Sequence, residues 1–272
     1  QTDRQTDGLT DRQTDRQTDR WTDGCLPKDV VVNLDDRVVG GEDVPEGLLP
    51  YQASLRNKGR SHFCGGSVLS NRWILTAAHC TIGKRVSDIE VVLGTVNRLV
   101  GGSYYSVEKI IIHKYYNNDL IVNDISLIKV SRAIEFNNLV QPVRLPAKDT
   151  DPGTTLLLSG WGTTSYSGTS PTILQMINLT AISVPDCQKR HEDINEVFDT
   201  QICTLTGKGE GACHGDSGGP LVEFSSKTLV GVVSWVEPCA HGYPDVYTRV
   251  YSYVPWILYN ISKNTVERII FN

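Results

Sequence analysis

Apolar residues fall along this chain in short, β-branched runs cut by glycine, proline and small polar residues. Ile89 to Leu93, Leu156 to Leu158, Leu221-Val222 and Leu229 to Val233 are examples. Runs this short, bounded by turn formers, predict strands rather than buried helices, and their recurrence up to about residue 250 predicts an all-β architecture. The last stretch, from Val254-Pro255-Trp256-Ile257-Leu258 onward, has the length and apolar spacing of a terminal helix. Val143-Arg144-Leu145-Pro146 reads as a connector between two halves of similar size, residues 38–145 and 146–272, which no sequence repeat relates. Residues 1–24 differ in kind: six four-residue units, QTDR, QTDG, LTDR, QTDR, QTDR and WTDG, polar and without apolar periodicity. Such a low-complexity segment cannot build a core and is expected to be disordered. Composition changes at Cys25, and globular sequence begins around Arg37.

Composition narrows the class. With 272 residues, 39% of them hydrophobic, the chain can bury a sizeable core. A net charge of −5 gives no electrostatic footprint for nucleic acid or an anionic membrane. No apolar run approaches the roughly 20 residues of a membrane helix. Seven cysteines, at 25, 64, 80, 187, 203, 213 and 239, allow three bridges with one left over, and the absence of a paired C-x-x-C gives no zinc pattern. Sequons at Asn178 and Asn260 fit an oxidising secretory route and an extracellular destination. No signal peptide is visible in the chain, which begins at Gln1.

Three strings carry candidate chemistry. In Gly215-Asp216-Ser217-Gly218-Gly219-Pro220, a hydroxyl stands among glycines that permit a tight turn and close approach of a substrate. Acyl transfer needs such a nucleophile beside backbone N–H groups aimed at the developing oxyanion. In Leu75-Thr76-Ala77-Ala78-His79-Cys80, preceded by Cys64-Gly65-Gly66-Ser67, two alanines allow close packing, and a bridge between Cys64 and Cys80 could pin the histidine loop. A general base needs such anchoring. In Asn123-Asp124-Ile125-Ser126-Leu127-Ile128, an acidic residue opens an apolar run, which suggests a partly buried carboxylate at a strand rim. An imidazole N–H is a fitting partner for it. Alone, each string has an ordinary reading: a Gly-rich surface turn, a structural histidine, a strand-end aspartate. His62, His113, His191 and His241 are read as structural.

Together, in the order His, Asp, Ser, they match one known arrangement of a catalytic triad. From Val38 to about Leu258 the chain resembles the chymotrypsin family, and most closely the chymotrypsins of arthropods. The resemblance rests on VVGG at 38–41, CGGS at 64–67, TAAHC at 76–80, NDISLI at 123–128, SGWG at 159–162, GDSGGP at 215–220 and SW at 234–235. It implies two packed Greek-key β-barrels of the chymotrypsin type with a C-terminal helix. It implies His79 as general base, Asp124 as its orienter, Ser217 as nucleophile, and the Gly215 and Ser217 N–H groups as oxyanion hole. It pairs Cys64 with Cys80, Cys187 with Cys203, and Cys213 with Cys239. Leu156 and Glu223 stand where vertebrate relatives carry a further bridge, and Arg144 stands where a propeptide cysteine such as Cys25 would find its partner.

The resemblance also implies activation. Residues 25–37 would be a propeptide, cut after Arg37 by a trypsin-like protease, and the new ammonium of Val38 would turn inward to pair with Asp216. Gly94-Thr95 lacks the acidic ligand of a calcium loop, so no metal or other cofactor is expected. The primary pocket would be built from Gly211, Ala212, Ser234, Trp235, Val236 and Asp245. Gly211 at its base disfavours a trypsin-like preference, and Val236 in place of the usual glycine should narrow it as in elastases. Asp245 lies near its back, as in arthropod chymotrypsins and crustacean collagenases, and is expected to be solvated or hydrogen-bonded, because an isolated buried charge is expensive. The expected enzyme is a serine endopeptidase cutting proteins or peptides after Leu and Met first, then Phe and Tyr, then smaller aliphatics, with Lys and Arg last. Protease inhibitors are expected partners. The alternatives are an elastase-like or broad collagenase-like profile, or a non-catalytic homologue, which would generally lack a triad residue.

Overall fold

The computed structural model describes residues 40–165, 168–205, 207–237, 239 and 241–266. Arg37, Val38, Cys25 and the repeat at 1–24 lie outside them. A two-residue strand, β1 (Glu42–Asp43), precedes twelve strands that form two closed antiparallel barrels. The first contains β2 (Gln52–Arg56), β3 (His62–Val68), β4 (Trp73–Thr76), β5 (Glu90–Leu93), β6 (Ser103–Ile112) and β7 (Ser126–Val130). The second contains β8 (Thr155–Gly160), β9 (Gln175–Ile182), β10 (Gln201–Thr204), β11 (Pro220–Glu223), β12 (Thr228–Trp235) and β13 (Asp245–Arg249).

The strand order is β2-β3-β4-β7-β6-β5 in one barrel and β8-β9-β10-β13-β12-β11 in the other. These are the same circuit, run twice by unrelated sequences. Closure by β2–β5 and by β8–β11 leaves neither ring with an open edge. The apolar runs at 89–93, 156–158, 221–222 and 229–233 fall on β5, β8, β11 and β12, as their spacing predicts. Leu156 and Glu223 face each other across β8 and β11, so the position of the absent bridge is occupied by an ordinary cross-strand pair.

The connector touches both barrels. The Val143 N–H donates to Val68 O in β3, and the Leu229 N–H in β12 donates to Arg144 O. A short helix, α1 (Val184–Arg190), was not foreseen from the apolar pattern. Ser183 caps it by accepting from the Asp186 N–H, and Cys187 anchors it to β10. The terminal helix, α2 (Val250–Val266), begins four residues before the expected Val254. Pro255 marks the interior of this helix, not its start. Val250, Tyr253 and Ile257, at helical spacing, are buried against the first apolar cluster and override the proline's lost hydrogen bond.

Candidate active site

His79 follows β4 directly, on a segment whose alanines, Ala77 and Ala78, are completely buried. The Cys64–Cys80 bridge ties this segment back to β3. Asp124 stands just ahead of β7. Asn123, in the left-handed region at φ 56, turns the chain there, and its side chain is fixed by Tyr253 Oη and the Tyr115 carbonyl.

The Asp124 carboxylate is 1% exposed and fully engaged. Its Oδ1 accepts the His79 backbone N–H at 2.9 Å, and its Oδ2 accepts His79 Nδ1 at 2.7 Å and Ser234 Oγ at 2.7 Å. An ionised carboxylate only accepts, so the proton between them sits on His79 Nδ1 and Nε2 is left as the basic nitrogen. The His79 side chain is 28% exposed, in contrast to the buried carboxylate that holds it. Nε2 lies 3.7 Å from Cys80 Sγ. Cys64, His79 and Cys80 therefore cluster like metal ligands, yet both sulfurs are spent in the disulfide and only one nitrogen could ligate.

Ser217 sits on the turn between Cys213 and β11. Its carbonyl accepts the Gly65 N–H at 2.8 Å, which seats the turn on the first barrel. Gly218, at φ 74, belongs here for steric reasons: a Cβ would lie 2.8 Å from Gly65 O and collide with the Thr76 hydroxyl. The turn thus packs against the strand that leads into His79. The N–H groups of Asp216, Gly218 and Gly219 are bonded to backbone carbonyls, whereas those of Gly215 and Ser217 donate to no partner among the described residues. No hydrogen bond among the described residues joins Ser217 Oγ to His79 Nε2.

Asp216 points inward. Its Oδ1 accepts the Gly162 N–H at 2.7 Å and its Oδ2 the Cys213 N–H at 2.9 Å. Burial pushes its carboxyl up to about 6, against the pull of those two donors. Asp245, on β13, is buried and hydrogen-bonded, with Oδ2 accepting the Ala212 N–H at 2.7 Å and the Tyr247 O–H at 3.4 Å. Of the two expectations for it, hydrogen bonding holds and solvation does not. Ser234 and Trp235 end β12, Val236 follows it, and the Cys213–Cys239 bridge joins that segment to the Ser217 turn. Val236 packs partly buried against the second barrel's core.

Two histidines read as structural touch this site. His62 Nε2 meets Gly215 O at 3.0 Å, and its Nδ1 meets Ser54 Oγ at 2.9 Å. Burial first, and then the charges of Arg56 and Arg98, push His62 down to about 4, so it is neutral. Arg56 only donates, and it donates to Ser54 Oγ. The Gly215 carbonyl only accepts, so Nε2–H donates to it, and the Ser54 hydroxyl donates a hydrogen bond to His62 Nδ1. His191 lies edge-on to Trp235, 4.8 Å between ring centroids, with Nε2 bonded to Pro244 O. The nearest sequence signal for His62 is its place two residues before Cys64; His191 has none.

The family model for trypsin matches residues 38–257. The chain is 46% identical over 224 residues to chymotrypsin-2 of Vespa crabro, an alignment covering 82% of this chain and 99% of that protein. It is 40% identical over 236 residues to trypsin-1 of Astacus astacus, covering 82% and 99%, and 43% identical over 237 residues to trypsin I-P1 of Gallus gallus, covering 85% and 91%. Twin six-stranded barrels, a carboxylate-bound histidine at the rim of the first and a serine turn from the second are what those matches span, and the chain belongs to the chymotrypsin family of trypsin-like serine proteases.

Proposed function

We propose that this chain is the zymogen of a secreted serine endopeptidase in which His79, Asp124 and Ser217 form the triad. The observation that carries the reading is the Asp124–His79 hydrogen bond at 2.7 Å, which occupies Nδ1 and leaves Nε2 as the nitrogen that can serve as base. Ser217 Oγ attacks the scissile carbonyl carbon while Nε2 takes its proton. The unspent N–H groups of Gly215 and Ser217 receive the oxyanion. The amine leaves with the proton from His79, and water repeats the sequence to release the acid. The Ser–His hydrogen bond closes only on the substrate complex, as is common in unliganded sites.

Activation follows from Asp216. Among the described residues this buried carboxylate is held only by two N–H groups and has no counter-charge, which an ammonium would supply. Gly40, two residues after Val38, lies against Gly209 and Glu210, on the loop that leads to the pocket. Cleavage after Arg37 would free the Val38 amine to pair with Asp216. The specificity is for medium and large uncharged side chains, with Gly211 at the floor and Val236 at the wall.

The test is labelling with a serine-directed phosphonate before and after limited cleavage by a trypsin-like protease. Label on Ser217 is expected only in the cut chain, whose new N-terminus is Val38. A cut chain that takes no label would make this a non-catalytic homologue.

A further inference from the structure

At the floor of the pocket proposed above, the carboxylate nearest Gly211 among the described residues is that of Asp245. Gly211 has no side chain; a Cβ placed there would lie 2.5 Å from Asp245 Oδ2 and 3.3 Å from its Oδ1. Asp245 therefore fills the space that a side chain at position 211 would occupy. Both of its hydrogen bonds fall on Oδ2, from Ala212 and Tyr247. Among the described residues Oδ1 accepts none, so it is the oxygen left for a ligand.

We propose that Asp245 is a protonation switch for primary specificity: neutral, it leaves a pocket for uncharged side chains, and ionised, its Oδ1 accepts a Lys or Arg cation. The preference for Leu and Met belongs to the first state.

The surroundings set where the switch turns. Burial pushes the Asp245 carboxyl up to about 7; the Ala212 N–H and Tyr247 O–H oppose this, and the Asp216 carboxylate adds to it. Tyr247 is itself held by the Thr204 hydroxyl from β10. On the neighbouring loop, Glu210 accepts the Gly207 N–H, and the Lys208 side chain lies along Gly242. No described cation bonds Asp245. In the cut chain, an ammonium on Asp216 would cancel the repulsive contribution, so the midpoint falls at or below neutrality. The sign is fixed: cationic substrates gain as pH rises through it. His79 serves every substrate alike and drops out of a ratio.

The switch rests on the pocket reading, and its turnover test rests on the peptidase reading as well. With the chain cut after Arg37, kcat/KM is measured from pH 5.5 to 8.5 for matched peptides carrying Lys or Leu at the cleaved position. The Lys/Leu ratio should rise roughly tenfold or more, and D245N should flatten it. A flat wild-type ratio, or an equal rise in D245N, overturns the switch. Calorimetric titration with n-butylguanidinium over the same range needs no turnover. Its Kd should tighten with pH in the wild type and not in D245N. Absent turnover on both peptides would remove the peptidase reading alone, while pH-independent guanidinium binding would remove the switch.

Discussion

The first barrel buries a carboxylate that faces a histidine, and the second buries two that, among the described residues, face no cation. Arg56 is bonded to Ser54, Tyr104 and the Asn97 carbonyl, Lys129 pairs with Glu108, and Asp124 holds His79. Across the seam, among the described residues, Asp216 and Asp245 are held only by N–H and O–H donors, and burial drives both carboxyls upward. The same strand circuit thus yields two kinds of wall. One is complete once the chain has folded. The other holds carboxylates that a proton or an ammonium would neutralise, which suits the activation proposed above.

Catalysis assembled from both walls should fail equally from either side. Ser217→Ala and His79→Ala should each lower kcat on the order of 10⁶-fold, and the double variant should be no worse, because nucleophile and base act as a unit. Additive losses in steady-state assays would mean the barrels contribute separately.

The next effect tests the incomplete wall alone. Arg37→Gln should leave the chain inactive after treatment with a trypsin-like activator. Asp216→Ala in the cut chain should lose about 10²–10³ in kcat/KM, the scale of a damaged oxyanion hole. N-terminal sequencing of active material that starts elsewhere than Val38 would break this account.

A smaller change sharpens the pocket. Val236→Gly should raise kcat/KM for Phe and Tyr peptides over Leu peptides by about 1–3 kcal/mol, the scale of a methylene fit. Unchanged ratios would place the steric limit elsewhere than Val236.

The smallest is a stability difference. Asp245 has a folded-state pKa above its unfolded value, so its contribution is complete at low pH and is lost as pH rises through about 7. Asp245→Asn keeps an acceptor for the Ala212 N–H and has no proton to lose. Its Tm should therefore gain on the wild type by roughly a few degrees between pH 4 and 7, then level off. A constant difference across that range in thermal melts would mean the carboxyl does not titrate on unfolding.

Much of this was legible in the amino-acid order. Short β-branched runs between turn formers dictate strands because side-chain period and turn chemistry are local properties. The triad strings stood out because a nucleophile turn needs glycines and a base needs an anchored loop, and both demands act on neighbours in sequence. The start of α2 was not legible: Pro255 looked like a first turn, and only the burial of Val250 and Tyr253 against the first barrel's cluster extends the helix back to β13. His62 and His191 were not legible either, since their partners, Gly215 and Trp235, lie far along the chain. Whether Asp245 was solvated or bonded, and which of its oxygens stays open, depended on Gly211 and Ala212 arriving from another loop. Hydrogen-bond direction and desolvation belong to the set of atoms that converge, and that set exists only after the two barrels have closed.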